Sequence, residues 1–320
     1  MQTKDNSHPE LSSTPSGRPI APNIRGVLAM LAAMATFIVG DATMKLASER
    51  LPTGEAMFLR GLIAGSLIWY LAWRAQAIHL LGEIPKKLLT LRSIGDAGGS
   101  LLYQSALARM PFADASAILQ LNPLLVTAGA AIFLHEKVGW RRWTATAVGL
   151  IGVMLIIRPG SASFTWASML VIAAVICSTM RDLVTRQMAM GIPTILITAL
   201  ATTAITISTL LLLPFEVWRK PTIDDMAFLT LPALCMLAGQ FLVVYSIRSG
   251  EVSTVVPFRY SAILWALLLS FVIWNHIPDT TTLVGIAIVV CAGLYTLYRE
   301  HHLRRLDRKR IAAKALKDIR

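Results

Sequence analysis

Two arginines and a few acids stand where an apolar chain accommodates them least, and they are the residues with which this sequence could do chemistry. Arg60 lies about six residues into one apolar run and Arg259 about seven into another. A guanidinium there stays charged and offers a fork of donors suited to a carboxylate, a phosphate or a polarised carbonyl. Each either faces a transport path or is satisfied by a neighbouring helix. Tyr260 follows Arg259, and Pro257, two residues before it, frees a backbone carbonyl that can face a cavity. The amides of Gln120, Asn122 and Gln240 also lie deep in apolar runs, where each needs a partner, another helix or a substrate. Arg259, Tyr260, Arg60, Gln120, Asn122 and Gln240 are therefore the expected substrate-binding residues.

Asp41 and Lys45 are four apart, on one helical face, and are expected to satisfy each other as an ion pair. Asp182 and Arg186 repeat that spacing. Such pairs either fix helix ends or form and break gates. Asp96 sits in an apolar run among Gly95, Gly98 and Gly99. It either couples transport to protons or bonds a neighbour across a close helix contact. Asp41, Lys45, Asp182, Arg186 and Asp96 are the expected gating or coupling residues.

Enzyme chemistry finds no footing. His135-Glu136 lacks the second histidine of a zinc helix, and neither a Walker phosphate loop nor a Gly-x-Ser-x-Gly elbow is present. Cys177, Cys235 and Cys291 fall in apolar stretches and form no CxxC or disulfide framework. The expectation is a chain without catalytic residues, metal ligands or cofactor, driven by gradients or exchange. A membrane-embedded enzyme or a sensor without flux is the alternative of another class.

The elements that must position these residues are membrane helices. Of 320 residues 55% are hydrophobic and 15% charged, against about 25% charged in soluble domains. The net charge of +12 is no sign of nucleic-acid binding, because half of it comes from the last 22 residues. Ten runs reach the roughly 20 apolar residues that a span needs: 26–44, 54–73, 93–110, 113–134, 141–157, 165–183, 192–214, 226–247, 252–274 and 280–298. The third is the weakest, broken by Asp96 and its glycines. With both termini cytoplasmic, 22 of the 30 Lys and Arg fall on the inner side and six on the outer, the bias that the positive-inside rule requires. This predicts a multi-pass protein of the cell inner membrane, in contact with the lipid bilayer and a small-molecule substrate. A homodimer is kept as an open assembly. The Ser- and Pro-rich segment 1–25 reads as a disordered cytoplasmic tail. The basic tail 299–320 reads either as solvated or as an amphipathic helix on the inner leaflet.

The sequence also repeats. Asp41, Lys45, Pro52 and Thr53 recur 141 residues later as Asp182, Arg186, Pro193 and Thr194; Asp114 and Ser116 recur as Glu251 and Ser253, and Gly149 as Gly285. The halves are 26–159 and 165–298, with five spans each. An odd number of spans makes the second half enter the membrane in the opposite direction. The expected fold is thus all-α and polytopic, ten transmembrane helices in two inverted-topology five-helix repeats, the usual frame for alternating access.

Gly-Asp-Ala-Thr-Met-Lys at 40–45, Phe-Leu-Arg-Gly at 58–61, Asn122-Pro123-Leu124, His135-Glu136-Lys137 and Arg158-Pro159-Gly160 in the first half, with Val-Val-Pro-Phe-Arg-Tyr at 255–260 and Ile-Pro-Asp at 277–279 in the second, make a pattern. With it the chain resembles EamA-type members of the drug/metabolite transporter superfamily. The resemblance implies a secondary transporter of a small organic metabolite. Within the superfamily it is most similar to the branch of S-adenosylmethionine and riboflavin uptake carriers, with an amino-acid or drug exporter of the same fold as the alternative. The chain departs from the family pattern at His276, where a Glu commonly precedes Ile-Pro-Asp.

Overall fold

Proline marks where the helices begin. Pro52, Pro85, Pro111 and Pro193 each occupy the position just before a helix, where a fixed φ is useful and a missing N–H costs nothing. The computed structural model describes residues 21–135, 140–158, 165–188, 192–249, 255–296 and 298. Its helices are α1 (Ala21–Ser48), α2 (Thr53–Arg74), α3 (Lys86–Leu107), α4 (Phe112–Leu119), α5 (Asn122–Phe133) and α6 (Trp140–Ile157). They continue as α7 (Trp166–Gln187), α8 (Thr194–Ser208), α9 (Ile223–Ser249), α10 (Ser261–Trp274) and α11 (Thr280–Thr296). Glu136, the C-terminal tail and most of the N-terminal tail lie outside the described residues, as does the Arg186 side chain.

The helices α4 and α5 join into one apolar rod, Phe112–Phe133, so the described residues form ten helical rods and no strand. Seven of the rods are long and apolar enough to cross a membrane. The three that fall short are α3, α6 and α11. α3 makes polar contacts toward both of its ends. At its start Arg92 bonds Thr185 near the end of α7, and at its close the Leu107 carbonyl accepts from Lys45 near the end of α1. α3 runs 22 residues, about 33 Å of helix. Its polar side chains Arg92, Asp96 and Gln104 meet other helices.

Ends are as specific as starts. His135 and Asn275 close α5 and α10 with positive φ, 54° and 48°, at corresponding places in the two halves. Asn tolerates this left-handed conformation and His more so than most residues.

The two sets of five rods interlock. The most extensive contacts are α1 with α9 and α3 with α7. Next come α2 with α8, α3 with α8, α2 with α9, α5 with α7, α1 with α10 and α4 with α10. Finally α6 meets α11 backbone to backbone, since a methyl group on Gly285 would stand 2.6 Å from the Gly152 carbonyl oxygen. Exchange of the first five rods for the last five converts each of these pairs either into itself or into another of the set. The largest buried cluster draws on both sets: Leu107 from α3, Phe112 and Ile118 from α4, Val153 from α6, Val171 from α7, Ile263 from α10 and Val289 from α11.

Candidate functional site

The two faces of the fold are tied by different chemistry. On the Arg92 face, Asp96 Oδ2 accepts from Arg92 Nη1 at 2.7 Å, and its Oδ1 faces Arg181 Nη1 at 3.5 Å. Arg181 Nε donates to Asp182 Oδ1 at 2.9 Å. Asn122 Nδ2 donates to Asp182 Oδ2 at 2.9 Å, and Thr179 Oγ1 donates to Asn122 Oδ1 at 3.1 Å. Two cations and two anions thus clamp α3, α5 and α7. Of the alternatives open for Asp96, the structure takes the bond across a close helix contact, and Asn122 likewise finds its partners on a neighbouring helix.

On the opposite face Lys45 does not pair with Asp41. Its ammonium donates to the carbonyls of Leu107 and Met110 at 2.6 and 2.8 Å and lies 5.6 Å from the centroid of the Trp274 ring. The physical reason is that the last carbonyls of α3 have no helical acceptor role left to fill and carry the negative end of its dipole, so they compete for the cation. The same face is closed by Trp274, which stacks on Phe112 at 5.5 Å and donates from its indole to Glu49 at 3.0 Å.

Asp41, released from Lys45, turns toward the centre of the first half. Gln104 Nε2 donates to its Oδ1 at a long 3.4 Å, and Arg60 and Tyr103 lie within its electrostatic reach. Arg60 is buried, with no hydrogen bond or ion pair among the described residues.

Arg259 sits in the short 3-10 turn Val256–Tyr260 that leads into α10. Its side chain is exposed, makes no hydrogen bond or ion pair among the described residues, and feels the charges of Asp182 and Arg181. Gln120 approaches the Arg259 carbonyl with its amide at 3.5 Å. Gln240 is half-buried on α9. Tyr260 points elsewhere: its ring lies so close over Gly293 of α11 that a methyl group there would fall 1.8 Å from the hydroxyl. This proline-bearing turn, at the junction of the halves, places one accessible cation beside the Gln120 amide.

A family model described as the EamA-like transporter family matches the chain twice, over residues 24–158 and 165–298. The chain belongs to this family. Among relatives, the pseudopaline exporter CntI of Pseudomonas aeruginosa (strain UCBPP-PA14) is 26% identical, with 83% of this chain and 94% of that protein covered. The S-adenosylmethionine uptake transporter of Rickettsia prowazekii (strain Madrid E) is 22% identical over 87% of this chain and 94% of its own. The riboflavin transporter of Rhizobium johnstonii is 27% identical over 93% and 97%. A solved crystal structure superimposes with a TM-score of 0.59 at 18% identity, covering 87% of this chain and 97% of that one; that likeness concerns the fold alone.

In this EamA-like transporter several polar residues escape a reading by spacing alone. Arg181 reads as one more positive charge at a helix end, yet it bridges Asp96 and Asp182. Glu55 reads as an acid in the first turn of α2, but it is buried and accepts from the backbone N–H of Arg219 at 3.0 Å. Glu216, from the same segment, caps the Gly54 N–H at 2.8 Å. These partners are more than 160 residues apart, so no local pattern announces them. His276 stands within electrostatic reach of Asp114, alongside Asp279 and Arg158. Arg158 bonds Asp279 and so joins the end of α6 to the start of α11. That contact holds the Asp279 carboxyl down at about 2, with Thr282 adding a second bond.

Proposed function

We propose that this EamA-like transporter is a secondary carrier that moves a small polar organic metabolite by alternating access between two inverted five-helix halves. The observation that carries the reading is the accessible guanidinium of Arg259, without a partner among the described residues, at a proline-bearing break in a helix beside Gln120. A cation held deep in a membrane protein without a counter-ion is costly unless something binds it, and a polar substrate is the simplest occupant. Arg60, buried and within electrostatic reach of Asp41, is a second cation of the apolar interior. The self-mapping set of helix contacts supports the inverted arrangement, because each half then offers the other the same surfaces.

In this scheme the Lys45 face is external, the Arg92 face is cytoplasmic and both termini lie inside a bacterial-type inner membrane. The clamp around Asp96 and the closure around Lys45 and Trp274 are the two gates. Asp182 belongs to the inner gate, with Arg186 one turn beyond it. S-adenosylmethionine uptake and riboflavin transport are the activities named for two of the relatives, and uptake of either compound is a first candidate here. Export is the second reading, favoured by the likeness to the pseudopaline exporter over nearly its whole length.

The test is purified protein in liposomes, loaded or bathed with labelled vitamins, nucleosides and amino acids, with and without a proton uncoupler. Saturable flux that falls by at least about tenfold in Arg259→Ala, the loss of one charge-assisted contact, supports the reading. Flux unchanged by Arg259→Ala and Arg60→Ala together overturns the site.

A further inference from the structure

The repeat is an internal control on its own interior. At the offset of 141 that carries Pro52 and Thr53 onto Pro193 and Thr194, Glu55 falls on Leu196. Both side chains are buried, at 2% and 0% exposure, so one position accepts a leucine in one half and holds an acid in the other. Each also lies under a strap from the opposite half. On the Arg92 face the short 3-10 turn Ile78–Glu83, between α2 and α3, packs on the start of α8 with apolar contacts: Ala77 and Ile84 join Met188 and Leu196 in one cluster. On the Lys45 face the turn Thr209–Phe215 and the residues after it, between α8 and α9, pack on the start of α2 with polar ones. Glu216 accepts from the Gly54 N–H at 2.8 Å, Glu55 Oε2 accepts from the Arg219 N–H at 3.0 Å, and the rings of Trp218 and Phe58 lie 5.4 Å apart.

In the outer seam Glu55 Oε1 and Trp218 Nε1 are buried without a hydrogen bond among the described residues. The cations nearby are engaged elsewhere: the Arg219 guanidinium is on Asp225 at 3.1 Å, and Arg50 lies over the Phe228 ring at 5.3 Å. A carboxylate buried without a cation gains hydration whenever the seam opens, whereas a leucine loses by the same exposure. Between the two straps α2 and α8 cross at small residues. A methyl group on Gly61 would collide with Thr206, and one on Gly65 would stand 3.8 Å from Thr202 Cγ2; the offset of 141 carries each of these pairs onto the other. From this arrangement we infer that the crossing is a pivot and the outer strap a latch, with Glu55 the residue that lets it open. The first turn of α2 swings away from the strap as the carrier opens outward. The inner seam, with Leu196 in the same place, parts less readily.

The inference rests on the alternating-access reading above, and the test separates their fates. Full-length protein in lipid nanodiscs, with Cys177, Cys235 and Cys291 replaced by Ala, carries one reporter: Thr53→Cys under the outer strap or Ala77→Cys beside the inner one, both at buried positions. With Glu55→Leu, maleimide labelling of the outer reporter is expected to slow about tenfold or more, the scale of one leucine exposed at each opening. The melting temperature is expected not to fall, and labelling of the inner reporter not to slow. Glu55→Gln, which keeps the shape and the Arg219 bond but not the charge, is expected to fall between, and in liposomes the maximal flux drops in the same order. Should Glu55→Leu fail to fold, Glu55→Gln decides alone. Labelling that is unchanged or faster in a folded variant, or slowed at both reporters alike, overturns the latch, and flux through the parent then leaves the carrier standing. Slowed outer labelling in a protein that moves no compound overturns the carrier and keeps the latch.

Discussion

Replacement of Asp96 by Asn tests whether the buried clamp holds α3 against α7. Asp96 is 7% exposed and faces Arg92 at 2.7 Å and Arg181 at 3.5 Å. At an effective dielectric near 20 each such pair is worth about 4 kcal/mol before desolvation, and breaking a buried pair from one side costs about 3–5 kcal/mol net. Arg181 keeps Asp182 at 2.9 Å and is 31% exposed, so the low end, about 3 kcal/mol, applies. That energy corresponds to roughly a hundredfold rise in the population with α3 and α7 parted. Cys177 reports it, because its Sγ faces Gly98 across this contact, where an added methyl group would stand 3.2 Å away. With Cys235 and Cys291 replaced by Ala, N-ethylmaleimide is expected to label Cys177 about a hundredfold faster in Asp96→Asn than in the parent. Addition of Arg92→Met restores the balance of charge in the clamp and is expected to recover much of the protection. Equal labelling in parent and single variant, or a double variant worse than the single, would refute the electrostatic reasoning.

Three further outcomes follow from other contacts. Gly285→Val presses a branched side chain onto the Gly152 carbonyl, which backbone cannot yield, so destabilisation of about 1–3 kcal/mol or more is expected in thermal unfolding; an unchanged melting curve would contradict the contact of α6 with α11. Gly293→Ala collides with Tyr260, and the loss of stability should be relieved in the double variant with Tyr260→Ala but not in that with Tyr260→Phe, which keeps the ring. The carboxyl of Asp279, held at about 2 by Arg158, ionises in the folded protein below its usual value of about 4. Its contribution is therefore full above pH 4 and disappears as pH falls through about 2, so parent and Asp279→Asn should melt apart at neutral pH and converge near pH 2.

Much of the architecture was legible because it is periodic and local. Apolar runs of span length, prolines at helix starts and the recurrence of Asp41-x-x-x-Lys45 as Asp182-x-x-x-Arg186 are all written in neighbouring residues. The site was less legible because its partners come from far along the chain. The rule for residues four apart joined Asp41 to Lys45, but it has no knowledge of the carbonyls at and just beyond the end of α3, 62 and 65 residues further on. Adjacency suggested Tyr260 as a companion of Arg259, whereas the turn from 3-10 to α-helix sends the tyrosine to Gly293. Asp96 stands out in an apolar run, but its partner Arg181 comes from another helix. For the same reason Glu55 is illegible locally: only the segment after α8, which folds back over α2, makes it a buried acceptor.

The interlocking of the two sets of rods bears on how the protein comes to be made. α1 finds its principal neighbour in α9, which starts at Ile223, and at about 5–20 residues per second the ribosome takes on the order of 10–35 s to reach it after α1 is complete. Throughout that interval the surface of α1 meant for α9 has no partner, whereas α3 waits only for α7, which brings Arg181 to Asp96 before α9 is begun. A nascent chain cut short before α9 thus closes its polar clamp but leaves α1 without its main partner, a ready mark for membrane quality control, and the completed fold waits on the last third of the chain.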